Sequence, residues 1–196
     1  MKYLIDPKNI INFDRTPDEV EAFYLFCVLV AGKNAQIQAH KLAEFLEPAA
    51  ELGMTPFEYI KGLLYLDKLD EEIRAHKLGQ YKRLHKCFEQ SIELNLAECT
   101  LEELEGVFGV GLKTARFFLV YTREDSEYAV LDTHIIRWMN ESFGFDHPRV
   151  TPGAKLYVQL EELFVFYARE IGKTVAELDL GIWKQYNREV NYSGSA

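Results

Sequence analysis

Four copies of the pattern T-x-x-E constrain this 196-residue chain more than any other feature. They are Thr16 to Glu19, Thr55 to Glu58, Thr100 to Glu103 and Thr174 to Glu177. In such a pair the Thr hydroxyl caps the third amide of a helix and the Glu reaches back to the Thr amide. Two of the four add Pro at the first helical position, Pro17 and Pro56, and Thr151-Pro152 reads as a fifth start. Behind each start, apolar residues recur at helical spacing, as in Leu156, Leu160, Leu163, Phe164, Tyr167 and Ile171. The pattern predicts helices over 17–31, 35–46, 56–66, 68–76, 80–94, 101–107, 111–122, 133–142, 153–171 and 175–186. The expected fold class is all-α, with short loops, no internal repeat and an unstructured tail over 191–196.

Composition excludes several classes. With 48% hydrophobic, 13% aromatic and 27% charged residues, the chain can bury a core and is neither collagen-like nor disordered. Its longest uncharged apolar run, Ala22 to Ala31, is ten residues. A membrane-spanning helix needs about 20, so no membrane association is expected. The opening residues meet Asp6 early, and no signal peptide is expected. Cys27, Cys87 and Cys99 are odd in number and widely spaced, without a C-x-x-C pair. That argues against a disulfide framework or a structural zinc site and for a reduced, intracellular (cytoplasmic or nucleoid) protein.

The net charge of −9 and pI near 5.1 argue against an indiscriminate nucleic-acid coat. A local basic surface remains open. Between Ile73 and Cys87 stand Arg74, Lys77, Lys82, Arg83 and Lys86 with no acid among them. That stretch suits phosphate contacts, with Lys82 and Arg83 the leading candidates, and equally suits a solvated helix face.

Residues 101–139 carry the chemistry. A short helix from Leu101 runs into Phe108-Gly109-Val110-Gly111, and a second, largely apolar helix follows. Two glycines around one small residue make a tight hairpin and allow close backbone approach. Amides at the start of the second helix then face outward, where an anion such as a phosphate diester can dock. An ordinary tight turn uses the same glycines. Lys113 falls in the first turn of that helix, where a cation opposes the macrodipole and burial adds a desolvation cost. The position suits a nucleophilic amine better than a structural cation, the alternative being a lysine that snorkels to solvent. Nineteen residues on, Asp132 opens the next helix in Leu131-Asp132-Thr133-His134. Its carboxylate can accept a proton or stabilise a neighbouring cation, or serve only as a helix cap.

The blocks F-G-V-G-L-K-T-A and V-L-D-T-H-I-I-R, at this spacing, resemble the helix-hairpin-helix DNA glycosylases. That group includes endonuclease III and the 8-oxoguanine DNA glycosylases. The resemblance implies an all-α helix-hairpin-helix glycosylase fold with two helical subdomains flanking a DNA-binding cleft. On that plan residues 1–196 form a single glycosylase unit. A central subdomain covers about 30–125 with the hairpin at 101–122, and a second covers about 1–29 plus 126–190. Members with a lysine at the Lys113 position are bifunctional glycosylase/AP lyases. By the resemblance, Lys113 attacks C1′, Asp132 assists, and a Schiff base leads to β-elimination. Gly109, Gly111 and His134 would contact the DNA backbone, with a sodium or potassium ion at the hairpin carbonyls as an accompaniment. The endonuclease III branch carries four cysteines near its C-terminus for an iron–sulfur cluster. Here none follows Cys99, so no cluster is expected.

That absence points toward the cluster-free 8-oxoguanine enzymes, and a second constellation agrees. Phe117 lies four residues after Lys113, while Asp179 and Trp183 share a face at i, i+4. In the resembling enzymes a Phe and a Trp sandwich the flipped purine and an Asp accepts from its N1–H and exocyclic amine. A surface Asp beside a core Trp gives the same pattern. Lys33 and Asn34 fall where related enzymes carry a wedge for the gap left by the flipped base, although an Asn here also suits a helix cap. The expected partner is double-stranded DNA containing a modified base, bound by a monomer. The alternatives are the same chemistry on another base, hypermodified phage bases included, and a non-catalytic module that binds DNA structure.

Overall fold

The computed structural model describes residues 1–192. Among them the chain forms eleven α-helices and no strand. They are α1 (Pro17–Leu29), α2 (Ala35–Phe45), α3 (Glu47–Leu52), α4 (Pro56–Tyr65), α5 (Leu69–Ala75), α6 (Tyr81–Ser91), α7 (Leu101–Gly106), α8 (Leu112–Thr122), α9 (Thr133–Phe143), α10 (Ala154–Glu170) and α11 (Val175–Tyr192). All four T-x-x-E segments start helices. Glu58, Glu103 and Glu177 each reach the Thr amide, at 2.9, 2.7 and 2.9 Å, and each returns its own amide to the Thr hydroxyl at 3.2 Å. Glu19 likewise accepts from the Thr16 amide at 2.9 Å.

Three local expectations are corrected. The pair Thr151-Pro152 does not cap α10. Gly153 does, and Pro152 is buried ahead of the helix. The short helix α3 was not predicted, although Pro48 in its first turn and Gly53, left-handed at φ 68° behind it, are start and stop signals. Helix α11 continues through Asn191 and Tyr192 instead of ending at 186. The rest of the expected tail, 193–196, lies outside the described residues.

The chain divides into two compact units, Met1–Phe118 and the remainder from Leu119, so the boundary falls inside α8. In the first unit α1 is the central helix. Ala22 through Leu29 are all buried, and a helix apolar on every side belongs in a core. Its Tyr24 ring meets Phe57 and Phe118 edge-on at 6.1 and 5.4 Å. The Tyr24 hydroxyl pairs with Ser91 at 3.0 Å, and burial pushes its pKa up. Residues 1–29 fall within this first unit, whereas the expected division grouped them with 126–190; the Tyr24 contacts with Phe57 and Phe118 tie α1 to it.

The second unit packs α9, α10 and α11. Trp138 meets Phe143, Phe164 and Tyr167 at 5.5, 5.7 and 5.2 Å. The segment entering α9 has no regular secondary structure, and its Ala129, Val130 and Leu131 are buried. Its backbone is paired by side chains of α10. The Tyr157 hydroxyl donates to the Ala129 carbonyl at 2.8 Å and accepts from the Leu131 amide at 3.0 Å. Glu161 accepts from the Ala129 amide at 2.8 Å.

Candidate DNA-processing site

The hairpin between α7 and α8 lies in the first unit. Its turn closes with the Val110 amide on the Val107 carbonyl at 3.0 Å, and the Phe108 amide donates to Gln90 Oε1 at 2.6 Å. Gly109 is required twice over. It sits at φ +85°, and an added Cβ would come 2.8 Å from Arg83 Cγ. Gly111 differs: a Cβ there meets nothing within 4 Å. The backbone leading into α8 is thus open to an incoming group, the arrangement by which helix amides bind a phosphate.

Lys113 is the second residue of α8 and half-buried. It forms no ion pair or hydrogen bond among the described residues. Arg116, one turn on, is only 4% exposed. Its guanidinium joins Glu105 of α7 at 2.5 Å and the Leu112 carbonyl at 3.2 Å, binding the two arms of the hairpin. Sequence reasoning missed this clamp, whose one signal was a charge inside an apolar helix. Phe117 is half-buried against Phe23 and Phe26 of α1, at 5.9 and 6.3 Å, so it is also part of the first unit's aromatic cluster.

The phosphate and wedge candidates divide into two groups. Arg83, expected on phosphate, donates to the Gly109 carbonyl at 2.7 Å and the Val28 carbonyl at 3.0 Å, bracing the hairpin against the end of α1. Lys33 donates to the Leu78 carbonyl at 2.7 Å. Burial first, then the charges of Arg83 and Lys41, lower its pKa from the ordinary lysine value. Asn34, the other wedge candidate, caps α2 by accepting from the Ile37 amide at 3.0 Å. These three side chains hold backbone. Lys82 is exposed, and Lys86 lies 4.6 Å from the ring of the exposed Phe108 at the hairpin tip. Those two remain available to phosphate. A sodium or potassium ion on the Gly109 carbonyl would face a fixed like charge, so the residues present do not fit a cation on that oxygen.

The other candidates lie in the second unit. Asp132 is the N-cap of α9, and its Oδ1 accepts from the His134 and Ile135 amides at 2.8 and 2.9 Å. Its Oδ2 has no partner among the described residues. His134 is half-buried, with its ring stacked on Tyr186 at 6.3 Å. Asp179 is 7% exposed and accepts from the Tyr121 hydroxyl, a partner sequence reasoning missed. Trp183, one turn after it on α11, is half-buried.

The Ogg-HhH family model, 8-oxoguanine DNA glycosylase, matches residues 8–173. The chain belongs to this family. The match takes in the hairpin, Lys113, Asp132 and His134, whereas Asp179 and Trp183 lie beyond it. The chain is also 28% identical over 166 residues to the 8-oxoguanine DNA glycosylase/AP lyase of Methanocaldococcus jannaschii, covering 81% of this chain and 75% of that one. A crystal structure of the M. jannaschii 8-oxoguanine glycosylase/lyase with a 15mer DNA containing 8-oxoguanine shares the fold. It gives a TM-score of 0.64 at 20% identity, over 90% of this chain and 85% of that one. The all-α architecture is therefore the helix-hairpin-helix glycosylase fold.

Proposed function

We propose that this family member is a bifunctional DNA glycosylase/AP lyase that excises 8-oxoguanine from double-stranded DNA with Lys113 as nucleophile. The observation that carries the reading is the state of that lysine. It occupies the first turn of a helix, next to an open hairpin backbone, with no carboxylate or carbonyl holding its amine among the described residues. A structural lysine is placed where a partner or a helix C-terminus stabilises it.

The chemistry follows in steps. The target nucleotide leaves the stack so that its C1′ can be reached. The Lys113 Nζ lone pair forms a bond to C1′, and the C1′–N9 bond breaks with its electron pair leaving on the base. A carboxylate must take the proton released by the amine, and the unpaired Oδ2 of Asp132 is the proposed acceptor. The nitrogen lone pair then closes a Schiff base as the C1′–O4′ bond breaks, O4′ takes the proton held by Asp132, and the departed base takes one from water. Loss of a C2′ proton then expels the 3′ phosphate, cutting the strand. Phe117 and Trp183 supply the aromatic faces for the base, and Asp179 the acceptor for its N1–H and amine. Lys82, Lys86 and the hairpin amides hold backbone phosphates.

Sodium borohydride reduces a Schiff base to a stable amine, which makes the proposal testable. Wild-type protein should form a covalent adduct with a duplex containing 8-oxoguanine or an abasic site. Lys113→Gln should form none while still binding the duplex. An adduct formed by Lys113→Gln would remove Lys113 as nucleophile. No adduct from the wild type on any modified-base duplex would favour a non-catalytic module.

A further inference from the structure

Tyr121 has no role in the chemistry above, yet its placement is specific. Lys113, Phe117 and Tyr121 recur at four-residue intervals on α8 and so share one stripe of that helix. Tyr121 is 1% exposed, within an otherwise apolar run of Phe118, Leu119 and Val120. A buried hydroxyl requires a polar partner. Here it donates to Oδ2 of Asp179, which is also buried.

We infer that Tyr121 is a positioning residue for base recognition, acting through Asp179. This rests on the reading of Asp179 as the acceptor for the base. A carboxylate rotates about a broad, roughly two-fold terminal torsion. A donor fixed to one oxygen holds the carboxylate plane in one orientation. Each carboxylate oxygen has two lone pairs. Asp179 Oδ2 can thus accept from Tyr121 while the carboxylate still presents acceptors to the adjacent N1–H and exocyclic amine of 8-oxoguanine. Without the hydroxyl the carboxylate loses the hold on Oδ2 that fixes its plane, and two-point recognition weakens.

The test compares single-turnover excision of 8-oxoguanine with cleavage of a preformed abasic duplex, where there is no base to read. Tyr121→Phe keeps the ring and removes only the donor. The ratio of excision to abasic cleavage should fall about tenfold to a hundredfold, the scale of a hydrogen bond to a charged group. In an Asp179→Asn background the same change should alter the ratio by less than about twofold, because Tyr121 acts through that carboxylate. Placing p-aminophenylalanine at position 121, which restores a para donor, should recover the ratio, and it keeps the question open to measurement should Tyr121→Phe fold poorly. An unchanged ratio in Tyr121→Phe, equal losses on both substrates, or independent effects in the double variant would overturn the inference. If Asp179→Asn itself left the ratio unchanged, the base-reading role of Asp179 would fall first and the inference with it.

Discussion

Replacing Tyr157 with Phe removes one hydroxyl and strands two buried backbone groups in the segment that delivers Asp132. The Leu131 amide loses its acceptor at 3.0 Å and the Ala129 carbonyl its donor at 2.8 Å. Both residues are fully buried. Each orphaned group costs about 1–3 kcal/mol. With partial relaxation, the expected loss is about 2–4 kcal/mol. Tyr24→Phe is the internal control, because it also removes a buried tyrosine hydroxyl. Its partner Ser91, however, keeps its bond to the Cys87 carbonyl at 2.6 Å, so the expected loss is only about 1 kcal/mol. Urea denaturation followed by circular dichroism measures both, and the midpoint of Tyr157→Phe should lie well below that of Tyr24→Phe. Amide exchange at Leu131 should change from protected to fast. Because Leu131 directly precedes the proposed catalytic carboxylate, base excision should fall along with stability. A Tyr157→Phe loss within about 0.5 kcal/mol of the control, or a still-protected Leu131 amide, would refute the assignment of this hydroxyl as the anchor of the segment.

Two further outcomes are expected. Asp132→Asn retains an Oδ1 acceptor for the His134 and Ile135 amides, so its melting temperature should stay near wild type while base excision drops by orders of magnitude. Near-normal single-turnover excision would reduce Asp132 to a helix cap. Gly109→Ala forces a Cβ onto a residue at φ +85° and to 2.8 Å from Arg83 Cγ. The strain should cost about 1–2 kcal/mol. Displacement of Arg83 should also weaken duplex binding measured by fluorescence anisotropy, and wild-type affinity would show that the hairpin tolerates the shift.

The helices were readable in the sequence because their starts are local chemistry. A Thr hydroxyl and a Glu three residues later satisfy amides within one turn, whatever surrounds them, and all four such segments begin helices. The tight turn at Gly109, the place of Lys113 in the first turn of α8 and the capping of α9 by Asp132 were readable for the same reason. Where the cue was weaker the reading slipped: Thr151-Pro152 resembles a cap, but Gly153 occupies the position. Only the tertiary structure shows which backbone groups Arg83 and Lys33 reach. Arg83 and Lys33 read as phosphate and wedge candidates because sequence shows their charge and not the backbone carbonyls within their reach, Gly109 and Val28 for one and Leu78 for the other. The allegiance of the first 29 residues was likewise tertiary, since the apolar stretch Ala22 to Leu29 of α1 must be buried but does not name its neighbours. Tyr157 on Ala129 and Leu131, Arg116 on Glu105, and Tyr121 on Asp179 join residues 11 to 58 positions apart. Such pairs leave no periodic trace, because hydrogen-bond partners across a fold are set by where helices pack and not by spacing along the chain.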